Sequence, residues 1–147
     1  MSLNIRRATA EDKPEWLRMR LLLWPEVESP ELLQELEGIL KDDLAPVFVL
    51  ERPGGGLGGF LEAGTRKYAE GCVTAPVGYI EGWFVDEDLR GQGFGGQLVK
   101  AAEDWARSQG LKEMGSDTWL WNERSIRAHI ALGYSEIERL IHFAKTL

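Results

Sequence analysis

Four glycines within six residues, at Gly91, Gly93, Gly95 and Gly96, make up the stretch of this sequence best suited to hold a ligand. Glycine lets backbone N–H groups turn toward one point, because no Cβ atom stands in the way. A helix that begins after such a loop adds the positive end of its dipole there. The stretch therefore predicts an anion-binding loop, most simply for a pyrophosphate. The alternative is a helix start with flexible glycines.

The segments on either side of the loop have the patterns needed to position it. Residues 77–85 are rich in β-branched and aromatic residues, which predicts a strand. Residues 97–109 carry apolar side chains at spacings of three and four, which predicts a helix that Gly110 ends. The local order is thus strand, glycine loop, helix.

The rest of the chain continues this alternation, and no repeat or interdomain linker interrupts it. We expect the order β-α-α-β-β-β-α-β-α-β, because the early strands pair as a meander and a later one crosses over by a helix. This predicts a mixed α/β sheet in one domain, residues 1–147. The predicted strands are 4–7, 47–51, 57–66, 77–85, 113–118 and one or two within 134–146; the predicted helices begin after Thr9, at Ser29-Pro30-Glu31, at 97 and at 123.

Charge and cysteine content narrow the class of partner. The 147 residues include 17 basic and 24 acidic side chains, a net charge of −7, which argues against nucleic acid and suits a cationic substrate. The single cysteine, Cys72, excludes an internal disulfide and fits a reducing compartment. No apolar run reaches the ~18 residues of a membrane span. We expect a cytoplasmic protein without membrane contact and, with two scattered histidines, without a metal site.

The glycines allow two interpretations of the ligand. Gly91, Gly93 and Gly96 satisfy G-x-G-x-x-G, and Asp117 lies where a dinucleotide fold would bind a ribose. However, residues 86–90 separate the loop from its strand, and too little chain remains for a doubly wound sheet. The spacing of Arg90 ahead of Gly93 and Gly95 fits a different type of phosphate-binding loop better than it fits a dinucleotide-binding loop.

The stretch Arg90-Gly91-Gln92-Gly93-Phe94-Gly95 resembles the acetyl-coenzyme A pyrophosphate loop of the GNAT superfamily of N-acetyltransferases. Scattered segments around Trp24, Tyr68, Glu81, Asn122 and Tyr134 resemble the aminoglycoside 6′-N-acetyltransferases within it. The resemblance implies the GNAT acyltransferase fold, acetyl-CoA as co-substrate, a small cationic amine as acceptor, and a homodimer.

The resemblance also implies which residues hold the acetyl donor. The backbone amides of Trp83, Phe84 and Val85 would hold the acetyl group and the pantetheine arm, and Asn122 would bond the same arm. The N–H of Trp83 would stabilise the developing oxyanion, at a strand bulge expected around Gly82 and Trp83. The pyrophosphate would be held by Arg90, Gly91, Gln92, Gly93, Phe94, Gly95 and Gly96.

Two further side chains are candidates for proton transfer, because a primary ammonium with a pKa near ~10 must lose a proton before it attacks. Glu81 would bind the ammonium and accept its proton through water; alternation places it on one strand face with Tyr79 and Trp83. A solvent-facing glutamate is the alternative. His129 stands where many members have a tyrosine that protonates the leaving thiolate; a structural histidine or a coenzyme A contact are the alternatives.

The acceptor pocket implied by the resemblance is acidic and aromatic, as a polyamine sugar requires. Glu138 would act from a neighbouring subunit. Val27 replaces a histidine of related enzymes, and Lys67, Trp119 and Trp121 also depart from the family pattern. These changes leave open another polyamine or small amine as acceptor, or an acyl-CoA-binding sensor without turnover. The substrate-binding candidates are Trp24, Val27, Tyr68, Glu81, Asp117 and Glu138.

Overall fold

A computed structural model describes residues 3–25 and 32–147, in which five strands and four α-helices alternate broadly as expected. Short 3-10 turns at Ala10–Asp12 and Glu87–Leu89 precede α1 and the glycine loop. No helix in these ranges is long and apolar enough to cross a membrane. The strands are β1 Asn4–Arg7, β2 Val47–Glu51, β3 Leu57–Arg66, β4 Val77–Val85 and β5 Met114–Ser116, and the helices are α1 Lys13–Leu23, α2 Leu32–Lys41, α3 Phe94–Ser108 and α4 Glu123–Ala131.

The strands form one sheet in the order β1-β2-β3-β4-β5. The first four pair antiparallel as a meander, and β5 pairs parallel to β4 after the crossover through α3. This confirms the predicted mixed α/β sheet, because a parallel neighbour requires a helical crossover.

Apolar side chains fill both faces of this sheet. On one face, Trp16 and Met19 of α1 and Leu36 of α2 pack with Val49 and Phe60 in a fully buried cluster. On the other face lies α3, whose buried stripe comprises Leu98, Val99, Ala102, Trp105 and Ala106. Strand β4 therefore lies between α1 on one face and α3 on the other, while residues 87–93 of the loop after it are largely exposed.

Helix ends mostly follow the expected signals. Thr9 and Asp12 form a capping box ahead of α1, which ends before Pro25. Gly110 and Gly133 follow α3 and α4 with positive φ angles of 77° and 95°. Helix α3 begins three residues earlier than predicted, at Phe94, because the left-handed Gly93 acts as its N-cap. The predicted start of α2 at residues 29–31 lies outside the described residues.

The chain divides into two compact units, Met1–Ser116 and Asp117–Leu147. The first contains the sheet and α1 to α3; the second contains α4 and the C-terminal segment 132–147. The prediction of a strand within 134–146 was wrong, since this segment has no regular secondary structure. A strand needs a neighbour for its N–H and C=O groups, and no ladder among the described residues includes this segment.

Candidate functional site

The glycine loop joins the end of β4 to the start of α3 and has the geometry of an anion site. Gly91 and Gly93 have φ angles of 77° and 88°, in the left-handed region that favours glycine. The N-terminal N–H groups of a helix have no intrahelical partner, and the first turn of α3 contains no acidic residue. A phosphate group fits such a helix start, so the residues present suit the pyrophosphate predicted there.

Side chains around the loop keep its backbone in place. Arg90 donates from Nε to the Val85 carbonyl at 2.8 Å and lies over the Phe84 ring. Gln92 donates from Nε2 to the Asp88 carbonyl at 3.1 Å. Trp83 Nε1 donates to the Gly95 carbonyl at 3.1 Å. These contacts tie the end of β4 to both ends of the loop.

An ionic network holds the acidic segment that precedes the loop. Asp86 is buried and accepts from Arg18 Nη2 at 2.9 Å and from Arg52 Nη2 at 3.0 Å. Arg52 also binds both carboxylate oxygens of Asp88, at 2.8 and 2.9 Å, which holds the pKa of Asp88 below its usual range. We call Arg18, Arg52, Asp86 and Asp88 the loop latch. It neutralises carboxylates beside a predicted anion site.

A β-bulge in β4 corrects the predicted arrangement of side chains there. Ile80 pairs with Ala63 and Gly82 pairs with Glu62, so Glu81 is the extra residue on β4. The bulge thus lies one residue before the expected Gly82-Trp83 pair. It also shifts the alternation of faces, because Tyr79 pairs with Gly64 whereas Trp83 pairs with Leu61. Glu81 therefore does not share a face with both Tyr79 and Trp83, as the simple alternation predicted.

The side chain of Glu81 lies on the face of Tyr79 and contacts the last residue of β3. Arg66 Nη2 donates to Glu81 Oε1 at 2.6 Å, and Arg66 Nε donates to Glu81 Oε2 at 3.0 Å. The Arg66 guanidinium also lies 3.5 Å from the centroid of the Tyr79 ring. Trp83 points the other way, toward Gly95 of α3. The two predicted catalytic residues of β4 thus face opposite sides of the sheet.

Glu81 opens onto a cleft of about 600 Å³ on the face covered by α1 and α2. Trp24, predicted as a substrate-binding residue, lines the same cleft, and so does Lys67. The charged residues of its wall are Arg20, Glu35, Asp42, Glu62, Arg66, Lys67 and Glu81. With four carboxylates against three cations, the cleft has the size and charge for a small polar cation.

Trp24 is held against the sheet from two sides. Its ring lies beside Gly82, where a Cβ atom would come within 2.5 Å of the indole, and meets Phe60 edge-on at 6.4 Å. The Arg20 guanidinium covers the ring at 5.0 Å from the centroid. Gly82 therefore serves the site by its small size, because a larger residue would displace Trp24.

The cleft contains functional candidates that the sequence analysis missed. Arg20, Glu62 and Arg66 come from α1 and the middle and end of β3. Glu62 carried a usable signal, because a carboxylate within an otherwise apolar strand is costly unless it is paired. The partner could not be identified from sequence, since Arg20 lies 42 positions away.

Two further substrate-binding candidates, Tyr68 and Val27, precede residue 117. Tyr68 lies in the loop between β3 and β4 with 68% of its surface exposed, and it is not among the residues of the cleft wall. Val27 lies outside the described residues.

Four predicted site residues belong to the second unit. Asp117 is exposed directly after β5, and Glu138 is exposed in the C-terminal segment. Asn122 is the N-cap of α4, with Oδ1 accepting from Ser125 N at 3.2 Å. His129 Nδ1 lies 2.7 Å from the Ser125 carbonyl, which only accepts, so Nδ1 carries the proton. The neutral ring then presents Nε2 as an acceptor, and proton donation would require the imidazolium form.

Comparison with known proteins gives one family along most of the chain. The sequence model of the Acetyltransferase (GNAT) family matches residues 13–134. An aminoglycoside N(6′)-acetyltransferase type 1 of Klebsiella aerogenes is 40% identical over 146 residues, which span 97% of this chain and 96% of that protein.

Solved structures of the same kind of enzyme superpose over the whole chain. The aminoglycoside 6′-N-acetyltransferase AAC(6′)-Ih from Acinetobacter baumannii has a TM-score of 0.91 at 32% identity, covering 99% of both chains. The structure of AAC(6′)-Iy in complex with the bisubstrate analogue CoA-S-monomethyl-acetylneamine has a TM-score of 0.92 at 34% identity, covering 100% of both.

Proposed function

The chain belongs to the GNAT family of acetyltransferases, and we propose that it transfers the acetyl group of acetyl-CoA to the 6′-amine of aminoglycosides. The predicted GNAT fold is thereby confirmed. One observation carries the choice of acceptor. Glu81 and Trp24 line one acidic cleft, in a chain whose near-full-length relatives are aminoglycoside N(6′)-acetyltransferases.

The glycine loop is proposed to hold the pyrophosphate of acetyl-CoA, which supplies the acetyl thioester. The left-handed Gly91 and Gly93 turn the backbone toward the start of α3, and the helix dipole adds a positive potential. We assign Arg90 and Gln92 to shaping the loop, because their side chains bond the carbonyls of Val85 and Asp88. The CoA-based ligand of AAC(6′)-Iy supports this choice of donor.

Trp83, Phe84 and Val85 are proposed to receive the acetyl group and the pantetheine arm through their backbone. Strand β4 continues five residues beyond Ile80, the last residue paired with β5. The bulge at Glu81 marks where the strand changes direction, as bulges near active sites often do. The Trp83 N–H is the proposed donor to the acetyl oxygen as negative charge develops there.

Glu81 is proposed to orient the acceptor amine and to take its proton through water. Once deprotonated, the amine nitrogen bonds to the acetyl carbon and the carbonyl oxygen becomes an oxyanion. When this oxyanion collapses, the carbon–sulfur bond breaks, the sulfur leaves as thiolate, and the nitrogen loses its second proton to water. Trp24 would pack on the sugar ring, with Tyr68, Asp117, Glu138 and Val27 as further contacts. His129 remains the candidate to protonate the thiolate, in its imidazolium form.

Further parts of the proposal concern assembly and location. We propose a homodimer, supported by apolar side chains of the C-terminal segment that are 57–90% exposed, namely Ile137, Leu140, Ile141 and Phe143.

We also propose that the protein is located in the cytoplasm. Its single cysteine is half-buried and has its pKa raised by burial, which suits a reducing compartment. The net charge of −7 supports an acceptor that is a small cation rather than nucleic acid.

The experiment measures thiol release from acetyl-CoA with two aminoglycosides that differ only in an amine or a hydroxyl at position 6′. We expect thiol release only with the aminoglycoside that carries an amine at position 6′, and we expect its product to lack the 6′ primary amine. Release with another polyamine but with neither aminoglycoside would replace the acceptor. Coenzyme A binding without any release would indicate a sensor.

The role of Glu81 is tested by Glu81→Gln, which keeps the shape of the side chain and removes its charge. We expect kcat/KM for the amine to fall about a hundredfold or more, as for loss of a general base, with the KM for acetyl-CoA unchanged. Glu11→Gln is the matched control, because Glu11 is exposed and is not among the residues of the cleft wall. Unchanged turnover in Glu81→Gln would remove Glu81 from the reaction.

A further inference from the structure

We propose that Arg66 determines specificity: its guanidinium occupies the Glu81 carboxylate as an internal cation, so that the cleft favours multiply charged amines over singly charged ones. The inference rests on the proposed function in one respect, which is that Glu81 binds the acceptor amine. It adds a selection rule among amines.

The geometry places Arg66 where a substrate cation would bind. Its Nη2 and Nε atoms engage both oxygens of Glu81, at 2.6 and 3.0 Å. Its guanidinium plane also lies 3.5 Å from the centroid of the Tyr79 ring, a second contact that suits a cation. An incoming ammonium must therefore share or displace a cation that already has two partners.

Displacement is inexpensive because the pair is open to solvent. The side chains of Arg66 and Glu81 are 41% and 38% exposed. Ion pairs with this exposure contribute little in water, so the guanidinium can leave Glu81 and remain hydrated. The contact thus weakens the binding of another cation to Glu81 without blocking the cleft.

A multiply charged amine can offset this competition from Arg66 by a second contact, which a monoamine cannot make. Glu35 and Asp42 also line the cleft; Glu35 Oε1 lies 3.5 Å from Arg20 Nη2, but the Glu35 side chain is 53% exposed and so can accept a further cation. A second ammonium that reaches one of these carboxylates raises the effective concentration of the first ammonium at Glu81. A singly charged amine competes with Arg66 by one contact only.

The test compares Arg66→Gln with the unmodified protein on two acceptors with the same aminomethyl sugar, one a monoamine and one an aminoglycoside with several amines. Removing the internal cation is expected to raise kcat/KM for the monoamine about fivefold, as for loss of an exposed ion pair. The aminoglycoside value should change less than about twofold on the same scale, and the KM for acetyl-CoA should not change.

Two further variants separate charge from geometry. Arg107→Gln removes the same charge from an exposed ion pair on α3 and should leave kcat/KM unchanged for both acceptors. Arg66→Lys keeps a cation but loses the bidentate contact of the guanidinium with the carboxylate. Its increase in kcat/KM for the monoamine should therefore be smaller than that of Arg66→Gln.

An equal fall of kcat/KM for both amines in Arg66→Gln would overturn the proposal, since Arg66 would then position Glu81 rather than compete for it. If no amine is acetylated by the unmodified protein, the proposed function fails first. Calorimetric titration of the same two amines then decides the selection rule. Tighter monoamine binding in Arg66→Gln supports it, and unchanged or weaker binding contradicts it.

Discussion

Arg20 and Glu62 form a nearly buried ion pair at the inner wall of the cleft, with 2.6 Å between Arg20 Nε and Glu62 Oε2. Their side chains are 9% and 7% exposed, and Glu62 also accepts from Trp16 Nε1 at 3.0 Å. Burial lowers the pKa of Arg20, but the hydrogen bond and charge of Glu62 raise it overall. Because the guanidinium covers Trp24, this pair connects the core to the aromatic wall of the cleft.

Glu62→Gln is predicted to destabilise the protein by about 3 kcal/mol, because it leaves the buried Arg20 charge with only the more exposed and more distant Glu35, 3.5 Å from Nη2. The free energy of unfolding in denaturant measures this loss. The KM for the amine should also rise as Arg20 and Trp24 shift, while the KM for acetyl-CoA stays constant.

Two controls accompany this prediction. Glu51→Gln breaks the more exposed ion pair with Arg6 and should cost less than about 1 kcal/mol. The double variant Arg20→Met with Glu62→Leu removes both buried charges and should regain most of the stability, but not the amine KM. A Glu62→Gln protein as stable as the unmodified one would show that the pair is not desolvated.

The loop latch leads to a prediction for the donor side. Arg52→Gln leaves Asp88 without its guanidinium partner and Asp86 with only Arg18, directly before the predicted pyrophosphate site. We expect the KM for acetyl-CoA to rise about fivefold at low ionic strength, with the KM for the amine unchanged.

Salt supplies the internal check on the latch, because screening weakens the repulsion between exposed carboxylates and a pyrophosphate. The difference between Arg52→Gln and the unmodified protein should therefore shrink as the salt concentration rises. Arg107→Gln again matches the change in net charge. An unchanged KM for acetyl-CoA at low salt would mean that the latch does not influence donor binding.

The parts of the fold and site that could be predicted from sequence are local ones. The loop around Gly91 and Gly93 and the strand before it depend on neighbouring residues and were located correctly, and the helix after it was predicted with its start three residues late. The cleft wall depends on pairs such as Arg20 with Glu62 and Arg66 with Glu81, which are 42 and 15 positions apart. Side-chain patterns do not encode such partners.

Two errors had physical causes of the same kind. The bulge at Glu81 is defined by the register between β3 and β4, so simple alternation along β4 assigned Trp83 to the wrong face. The C-terminal segment alternates apolar and polar residues in part, but a strand forms only with a partner, and none is provided among the described residues. Both depend on pairing rather than on the segment itself.

The glycines near the loop should respond differently to alanine. Gly93→Ala puts a side chain at φ 88° and should cost about 1–2 kcal/mol while weakening acetyl-CoA binding. Gly95→Ala has ordinary φ but places a Cβ atom 3.1 Å from the Trp83 ring, so it should lower kcat by shifting Trp83.

The control for both is Gly38→Ala in α2, where the added Cβ atom meets nothing within 4 Å. It should stabilise the helix by about 0.5–1 kcal/mol and leave both KM values unchanged. Equal effects of Gly93→Ala and Gly38→Ala on thermal unfolding would contradict the role assigned to the left-handed turn.

Asp12 makes the stability of the protein depend on acid pH. Hydrogen bonds from Arg6 hold the pKa of Asp12 below its ordinary value, outweighing burial, and the Asp12 side chain is 8% exposed. A carboxyl whose pKa is depressed by folding contributes stability above its unfolded pKa of ~3.9, and this stability is lost as pH falls through the lower folded value.

Asp12→Asn should therefore cost about 1–2 kcal/mol at pH 7, from the lost charge-assisted hydrogen bonds to Arg6. The difference from the unmodified protein should begin to decline below a pH of ~4, where the carboxyl of the unfolded chain takes up a proton, and should be lost as pH falls through the lower pKa of Asp12 in the folded protein. Denaturant unfolding of both proteins between neutral and acid pH measures it. A difference that stays constant down to the acid end would mean that the charge of Asp12 contributes nothing, and that its role lies in capping the turn before α1.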